Sequence, residues 1–149
     1  KKAEAQLDTV KPYIDAVLTF EELQALFDSR DLDITTLPED VLDNASYFGR
    51  IFARSGGLSD AVAEGLKEQN IDFDLKPCVC DGIEACRMAL LKKSKNLLDA
   101  NFIEGMACVG GCIGGAGCLT HEPRSRDDVD RYGKEALEKT IADAVSQLK

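Results

Sequence analysis

The sequence predicts an α/β domain, a small parallel or mixed sheet flanked by helices, and three observations predict it. Short β-prone runs alternate with helix-patterned segments, the connections between them suit right-handed crossover units, and a 149-residue chain that is 44% hydrophobic can enclose one core of ordinary size. The expected organisation is a single domain over residues 1–149, with neither an internal repeat nor a low-complexity tract.

Taken in order, Tyr13 to Leu18 is short, partly β-branched and bounded by Pro12, and reads as a strand feeding a helix. That helix opens at Thr19-Phe20-Glu21-Glu22, a capping box, and Phe20, Leu23, Leu26 and Phe27 recur at helical spacing toward Asp28. Leu32 to Val41 is a polar connection containing Pro38. Ser55-Gly56-Gly57 is a turn before a second helix striped by Leu58, Val62 and Leu66 and limited by Gly65 and Asn70. Phe73 to Cys80 alternates as a strand does. Asp81-Gly82 then turns the chain into a helix whose apolar stripe is Ile83, Cys86, Leu90 and Leu97, and Phe102 to Met106 is a second short strand. Five glycines between Cys108 and Cys118 exclude regular structure there. From Ser125 and Asp128 one long terminal helix is expected, with Val129, Tyr132, Ala136, Ile141, Val145 and Leu148 on one face.

Composition narrows the function classes. Eighteen Lys and Arg against 27 Asp and Glu leave a formal charge of −9, the wrong sign for a protein that holds a phosphate backbone, so no nucleic-acid partner is expected. No apolar run approaches the roughly 20 residues that span a bilayer, and Lys1-Lys2-Ala3-Glu4 has no apolar signal region. A soluble piece is expected, trimmed from a longer chain that could carry an upstream signal. Six cysteines in a chain of this size read as reduced thiols or metal ligands before they read as a disulfide scaffold. A single histidine, His121, leaves thiolates to carry any metal.

The stretch Glu104-Gly105-Met106-Ala107-Cys108-Val109-Gly110-Gly111-Cys112-Ile113-Gly114-Gly115-Ala116-Gly117-Cys118 carries the chemistry, directly after a predicted strand. Glycines let the backbone approach a bulky inorganic cluster and aim amide N–H groups at its sulfides, and two cysteines in a C-x-x-x-C can turn their sulfurs toward one centre. A bare C-x-x-x-C is read equally well as a glycine-rich turn with buried thiols.

This stretch resembles the third signature of the iron-only (FeFe) hydrogenases, roughly E-x-M-A-C-x-G-G-C-x-x-G-G-G-Q-P, at Glu104, Met106, Ala107, Cys108, Gly110, Gly111, Cys112, Gly115 and Gly117. Lys1-Lys2-Ala3-Glu4 resembles the tail of the family's M-P-C-x-x-K-x-x-E signature. Asp15 to Leu23 is similar to its D-x-V-L-T-x-x-E-L, and Phe48-Gly49 with Ser55-Gly56-Gly57-Leu58 to its F-G-x-x-G-G. The resemblance implies an H-cluster, a 4Fe-4S cube joined through a cysteine thiolate to a diiron unit with carbonyl, cyanide and dithiolate ligands. It implies Cys108 as a cube ligand and Cys112 as the bridging thiolate. Met106 would stand beside the diiron carbonyls, Gly110 and Gly111 would line the cofactor, Lys1 would reach a cyanide, and Glu4 would orient Lys1.

The family's T-S-C-C-P signature is absent, and Val109, Ala116 and Cys118-Leu119 replace its Pro, Gly and Gln-Pro. The resemblance therefore implies the C-terminal portion of an H-cluster domain from a divergent, sensory or accessory branch, inactive alone. Its parent would interconvert protons, electrons and hydrogen, or sense hydrogen, in the cytoplasm of an anaerobic bacterium. The rest of the H-cluster domain and ferredoxin-like electron-transfer domains would be its partners. The alternative is a non-catalytic iron-sulfur module for electron transfer, signalling or structure, and a third reading has Cys108, Cys112 and Cys118, with Cys78 or Cys80, binding a simple cluster or zinc.

The remaining residues read more plainly. Cys78 and Cys80 share a strand face and read first as small buried side chains, with metal binding as the alternative, and Cys86 reads as core. Cys118 stays open between a structural role and a ligand or redox role. His121 reads as exposed and structural, and Arg124, Arg126 and Arg131 as a surface paired with Asp127, Asp128 and Asp130.

Overall fold

The computed structural model describes residues 13–41 and 45–147, which pack as two compact units. Of the described residues, the smaller unit holds 13–40 together with Ala116–Leu119, and the larger holds Val41, 45–115 and 120–147.

In the smaller unit, α1 (Phe20–Asp28) starts at the expected capping box: the Glu22 amide donates to Thr19 Oγ1 at 3.2 Å and the Thr19 amide to Glu22 Oε2 at 2.7 Å. The Phe20 amide donates to the Gly117 carbonyl at 3.1 Å, which ties the end of the glycine segment to this helix start. No residue of α1 is buried, and Phe20 and Leu26 are exposed. Tyr13 to Leu18 is not the strand its residue types suggest, because it finds no pairing partner among the described residues.

In the larger unit the order is α2 (Tyr47–Arg50), α3 (Gly57–Glu68), β1 (Pro77–Asp81), α4 (Ile83–Ser94), β2 (Phe102–Met106), α5 (Ser125–Lys134) and α6 (Ile141–Ser146). Strands β1 and β2 pair in parallel, with Cys80 opposite Gly105 and Asp81 opposite Met106, so the architecture is the expected α/β one. β2 has the predicted bounds, whereas β1 begins at Pro77 rather than Phe73. Gly82, at φ 86°, makes the turn into α4, and Asn70, at φ 53°, ends the second helix while Gly65 lies inside it.

Two predicted faces are corrected. On α4 the supposed core stripe is split: Ile83 is 73% exposed and Leu90 60%, Cys86 alone of the helix's stripe turns toward the strands, half-buried, and Ala89 is the buried residue. A two-stranded sheet covers only a narrow helix face, and the small side chain wins it. The terminal helix is two helices, because the chain breaks after Lys134 and restarts at Thr140, whose hydroxyl accepts from the Asp143 amide at 3.0 Å.

Few large side chains are buried. Ile51 is enclosed with Ala61, Cys80, Ala89, Ala100 and Ala136, beside the polar Ser46, Arg54, Ser55, Ser59 and Glu104. Polar contacts therefore carry much of the order. Gly56 at the start of α3 has no side chain to offer that helix's unpaired amides, and Glu104 of β2 supplies one. Its Oε1 accepts from the Gly56 amide at 2.8 Å, and its Oε2 from the Ser59 amide at 2.8 Å and hydroxyl at 2.6 Å. At the other end of α3, Glu68 does the same for α6, accepting from the Ile141 and Ala142 amides at 2.7 and 3.0 Å.

Replacing Glu104 with Ala leaves three donors without their acceptor in a buried place and should cost about 3 kcal/mol, against about 1 kcal/mol for Glu68→Ala. Urea unfolding of the two variants measures the difference; equal losses would show that burial of Glu104 adds nothing.

Candidate functional site

The Cys108–Gly115 loop leaves the carboxyl end of β2, the end at which α/β sheets leave room for ligands. Its path is held from two sides. From β1, the Asp81 carboxylate accepts from the Gly110 amide at 2.9 Å, and the Gly82 amide donates to the Met106 carbonyl at 2.9 Å. From the segment before α3, Arg54 pairs antiparallel with Gly111, the Ser55 amide donates to the Gly110 carbonyl at 3.0 Å, and the Ile113 amide to the Ala53 carbonyl at 3.2 Å.

Two glycines make this path possible. Gly111 has φ 96°, and a Cβ there would lie 2.7 Å from Ala53 O and 2.8 Å from Met106 Sδ; a Cβ on Gly114 would lie 1.9 Å from Val109 O. Met106 therefore rests its sulfur against the loop at Gly111. Cys108 is half-buried, its Sγ 3.5 Å from where a Gly115 Cβ would be, while Cys112 is exposed at the start of a 3-10 turn over Cys112–Gly114. His121 is exposed, and its Nε2, in the protonated tautomer, donates to the Gly115 carbonyl at 2.9 Å, the structural role expected of it. It shares with Gly110, Gly114 and Arg126 a cavity of about 430 Å³ behind the loop.

Behind Gly111 lies a buried cation that sequence reasoning passed over. Arg54 is 4% exposed; its Nε donates to Asp130 at 2.6 Å and its Nη2 to Asp60 at 2.9 Å. Burial pulls its pKa down most strongly, but hydrogen bonds with Asp130, Asp60 and Tyr47, and the charge of Asp130, outweigh burial and hold it above the ordinary value. One side chain thereby joins α5 and α3 to the strip that clamps the cysteine loop. Asp130 is thus not part of the self-paired surface expected of it; the Arg131–Asp128 pair at 2.6 Å is of that kind, and Arg124 pairs instead with Glu122 at 2.5 Å. No local pattern marks Arg54, since its partners are distant in sequence.

The other cysteines sort as follows. Cys80 is buried and Cys78 half-buried, in keeping with the bland reading, and Cys86 is half-buried against β2. Cys118 is half-buried in the smaller unit. None of the six is in a disulfide. Lys1 and Glu4 lie outside the described residues. Among the described residues no three His, Cys, Asp or Glu side chains converge as a metal site, and no helix is long and apolar enough to cross a membrane.

What the fold and site define is an α/β protein that carries a pair of free thiols on a glycine-shaped loop at the ends of parallel strands. The family model for the iron only hydrogenase large subunit, C-terminal domain, matches residues 1–116, and the chain belongs to that family.

Replacing Gly111 with Ala places a methyl group inside two backbone contacts at positive φ and should cost about 3 kcal/mol. Gly110→Ala, at φ 82° with open space around it, should cost about 1 kcal/mol. Thermal unfolding of both separates close approach from backbone strain. Cys80 provides a pH test: burial first, then its hydrogen bond with Cys86, pushes the thiol from 9.0 up to about 11. The contribution of the neutral thiol is complete below pH 9 and lost as pH rises toward 11. The stability advantage of the wild type over Cys80→Ala should thus shrink across that window; an unchanged difference would contradict it.

Proposed function

We propose that the chain is part of the H-cluster domain of an FeFe-hydrogenase-type oxidoreductase, whose parent interconverts protons, electrons and hydrogen or senses hydrogen. The observation that carries this reading is the C-x-x-x-C pair, Cys108 and Cys112, on a glycine loop fed by a parallel strand in a chain of this family. The donor set fits half of a 4Fe-4S cube's ligation: soft thiolates suit iron, and positive-φ glycines bring backbone close. The remaining ligands have to come from another part of the parent, which agrees with Cys112 being exposed at the surface of this chain.

In this reading Cys108 would ligate the cube and Cys112 would be the thiolate that holds both cube and diiron unit. When bound, the organometallic group supplies the redox chemistry. Met106 contributes an apolar sulfur beside the loop, Gly110 and Gly111 admit the cofactor, and Asp81 and Arg54 keep the loop in shape. Lys1 would donate to a cyanide ligand, with Glu4 orienting it. A cytoplasmic, anaerobic setting and ferredoxin-like electron partners belong to the same proposal, as does the inactivity of this piece by itself. Cys118 remains a candidate extra ligand.

The substitutions Val109, Ala116 and Cys118-Leu119 in the loop favour a second reading, a cluster-binding module that does not turn over hydrogen. Infrared spectroscopy of the full-length parent, matured with the diiron cofactor, distinguishes the two. Metal carbonyl and cyanide bands that vanish on Cys112→Ala are expected; bound iron without such bands would leave the non-catalytic module.

A further inference from the structure

Beneath the cysteine loop lies a second pair of thiols. Cys80, next to the end of β1, places its Sγ 3.1 Å from the Glu104 carbonyl. Cys86, in the first turn of α4, places its Sγ 3.5 Å from the Cys80 carbonyl and 3.4 Å from the Met106 carbonyl. Cys80 Sγ thus lies against Glu104 and Cys86 Sγ against Gly105 and Met106, consecutive residues of β2 with Gly105 opposite Cys80 in the register; the two thiols hydrogen-bond to each other, and a Cβ on Gly105 would meet Cys86 Sγ at 3.4 Å. The glycine leaves the space that the Cys86 thiol occupies. Gly82 folds the six-residue step between the two cysteines into a tight strand-to-helix turn. Neither thiol has a part in the Cys108–Cys112 site.

We propose that Cys80 and Cys86 form a thiol-disulfide exchange site whose substrate is a low-molecular-weight disulfide. Cys86 is the more accessible of the two and attacks as thiolate, forming a mixed disulfide and releasing one small thiol. Cys80 then gives up its proton, its sulfur displaces the second small thiol, and the Cys80–Cys86 bond forms. Two protein thiols and one small disulfide become one protein disulfide and two small thiols, so atoms and electrons balance. The neutral Cys80 thiol, held up to about pH 11, makes the second step the slower one at neutral pH. Closure removes the Cys80 contact with the Glu104 carbonyl, on the strand that carries both the α3 cap and the cysteine loop. The inference does not depend on which cofactor the loop holds.

The test is incubation of the full chain with oxidised glutathione, followed by alkylation and non-reducing peptide mapping. The expected result is joint loss of alkylation at Cys80 and Cys86, in a linked peptide two hydrogens lighter than the dithiol. In Cys86→Ser, Cys80 should stay reduced under the same treatment, while in Cys78→Ser the link should still form. Full alkylation of both cysteines in the wild type, a Cys86 adduct that stops at bound glutathione, or a Cys78–Cys80 link would each overturn the proposal.

Discussion

The larger unit depends on one buried carboxylate. Glu104 stands in the middle of β2, where a carboxylate is expensive to bury unless it is hydrogen-bonded, and three donors from the start of α3 bond both of its oxygens. A strand is thereby locked to a helix end that has only glycine at its cap. The dipole of α3 adds to the attraction, since its positive end faces the carboxylate. Because Cys80 also bonds the Glu104 carbonyl, both ends of this residue hold the sheet in place just before the chain enters the cysteine loop.

The same device recurs outward from that point. Glu68 carries the far end of α3 to the start of α6, and Arg54 carries the strip before α3 to Asp130 on α5. Charge-assisted contacts at helix ends take the place of a broad apolar core, and the buried hydrophobics are mostly alanines. Apolar side chains such as Ile83, Leu90 and Leu97 remain on the surface.

For the site, the consequence is a loop whose shape is imposed by its surroundings before any ligand is considered. Asp81 and Gly82 fix one side, Ala53 to Ser55 the other, and Gly111 and Gly114 accept approaches that no Cβ would tolerate. Under the proposed function, such preorganisation would suit a cluster of fixed iron-sulfur geometry. The separation of Cys108, half-buried, from Cys112, exposed, is likewise a property of the loop's path.

Features that depend on neighbours in the chain were legible in the sequence. The capping box at Thr19, the turn at Asp81-Gly82, the short strand Phe102 to Met106 and the glycine-rich cysteine loop each rest on contacts or torsions within a few residues, and the loop's motif sufficed to point to its family. Tertiary structure alone decided which faces are inside. Ile83 and Leu90 of the α4 stripe face outward while Cys86 faces in, because two strands cover so little of the helix, and the terminal helix breaks where Thr140 and the distant Glu68 cap a new one. Glu104, Arg54 and Asp130 acquired their roles the same way, through partners tens of residues away. Periodicity reports that a side chain is apolar or charged; only the packed chain determines what stands opposite it.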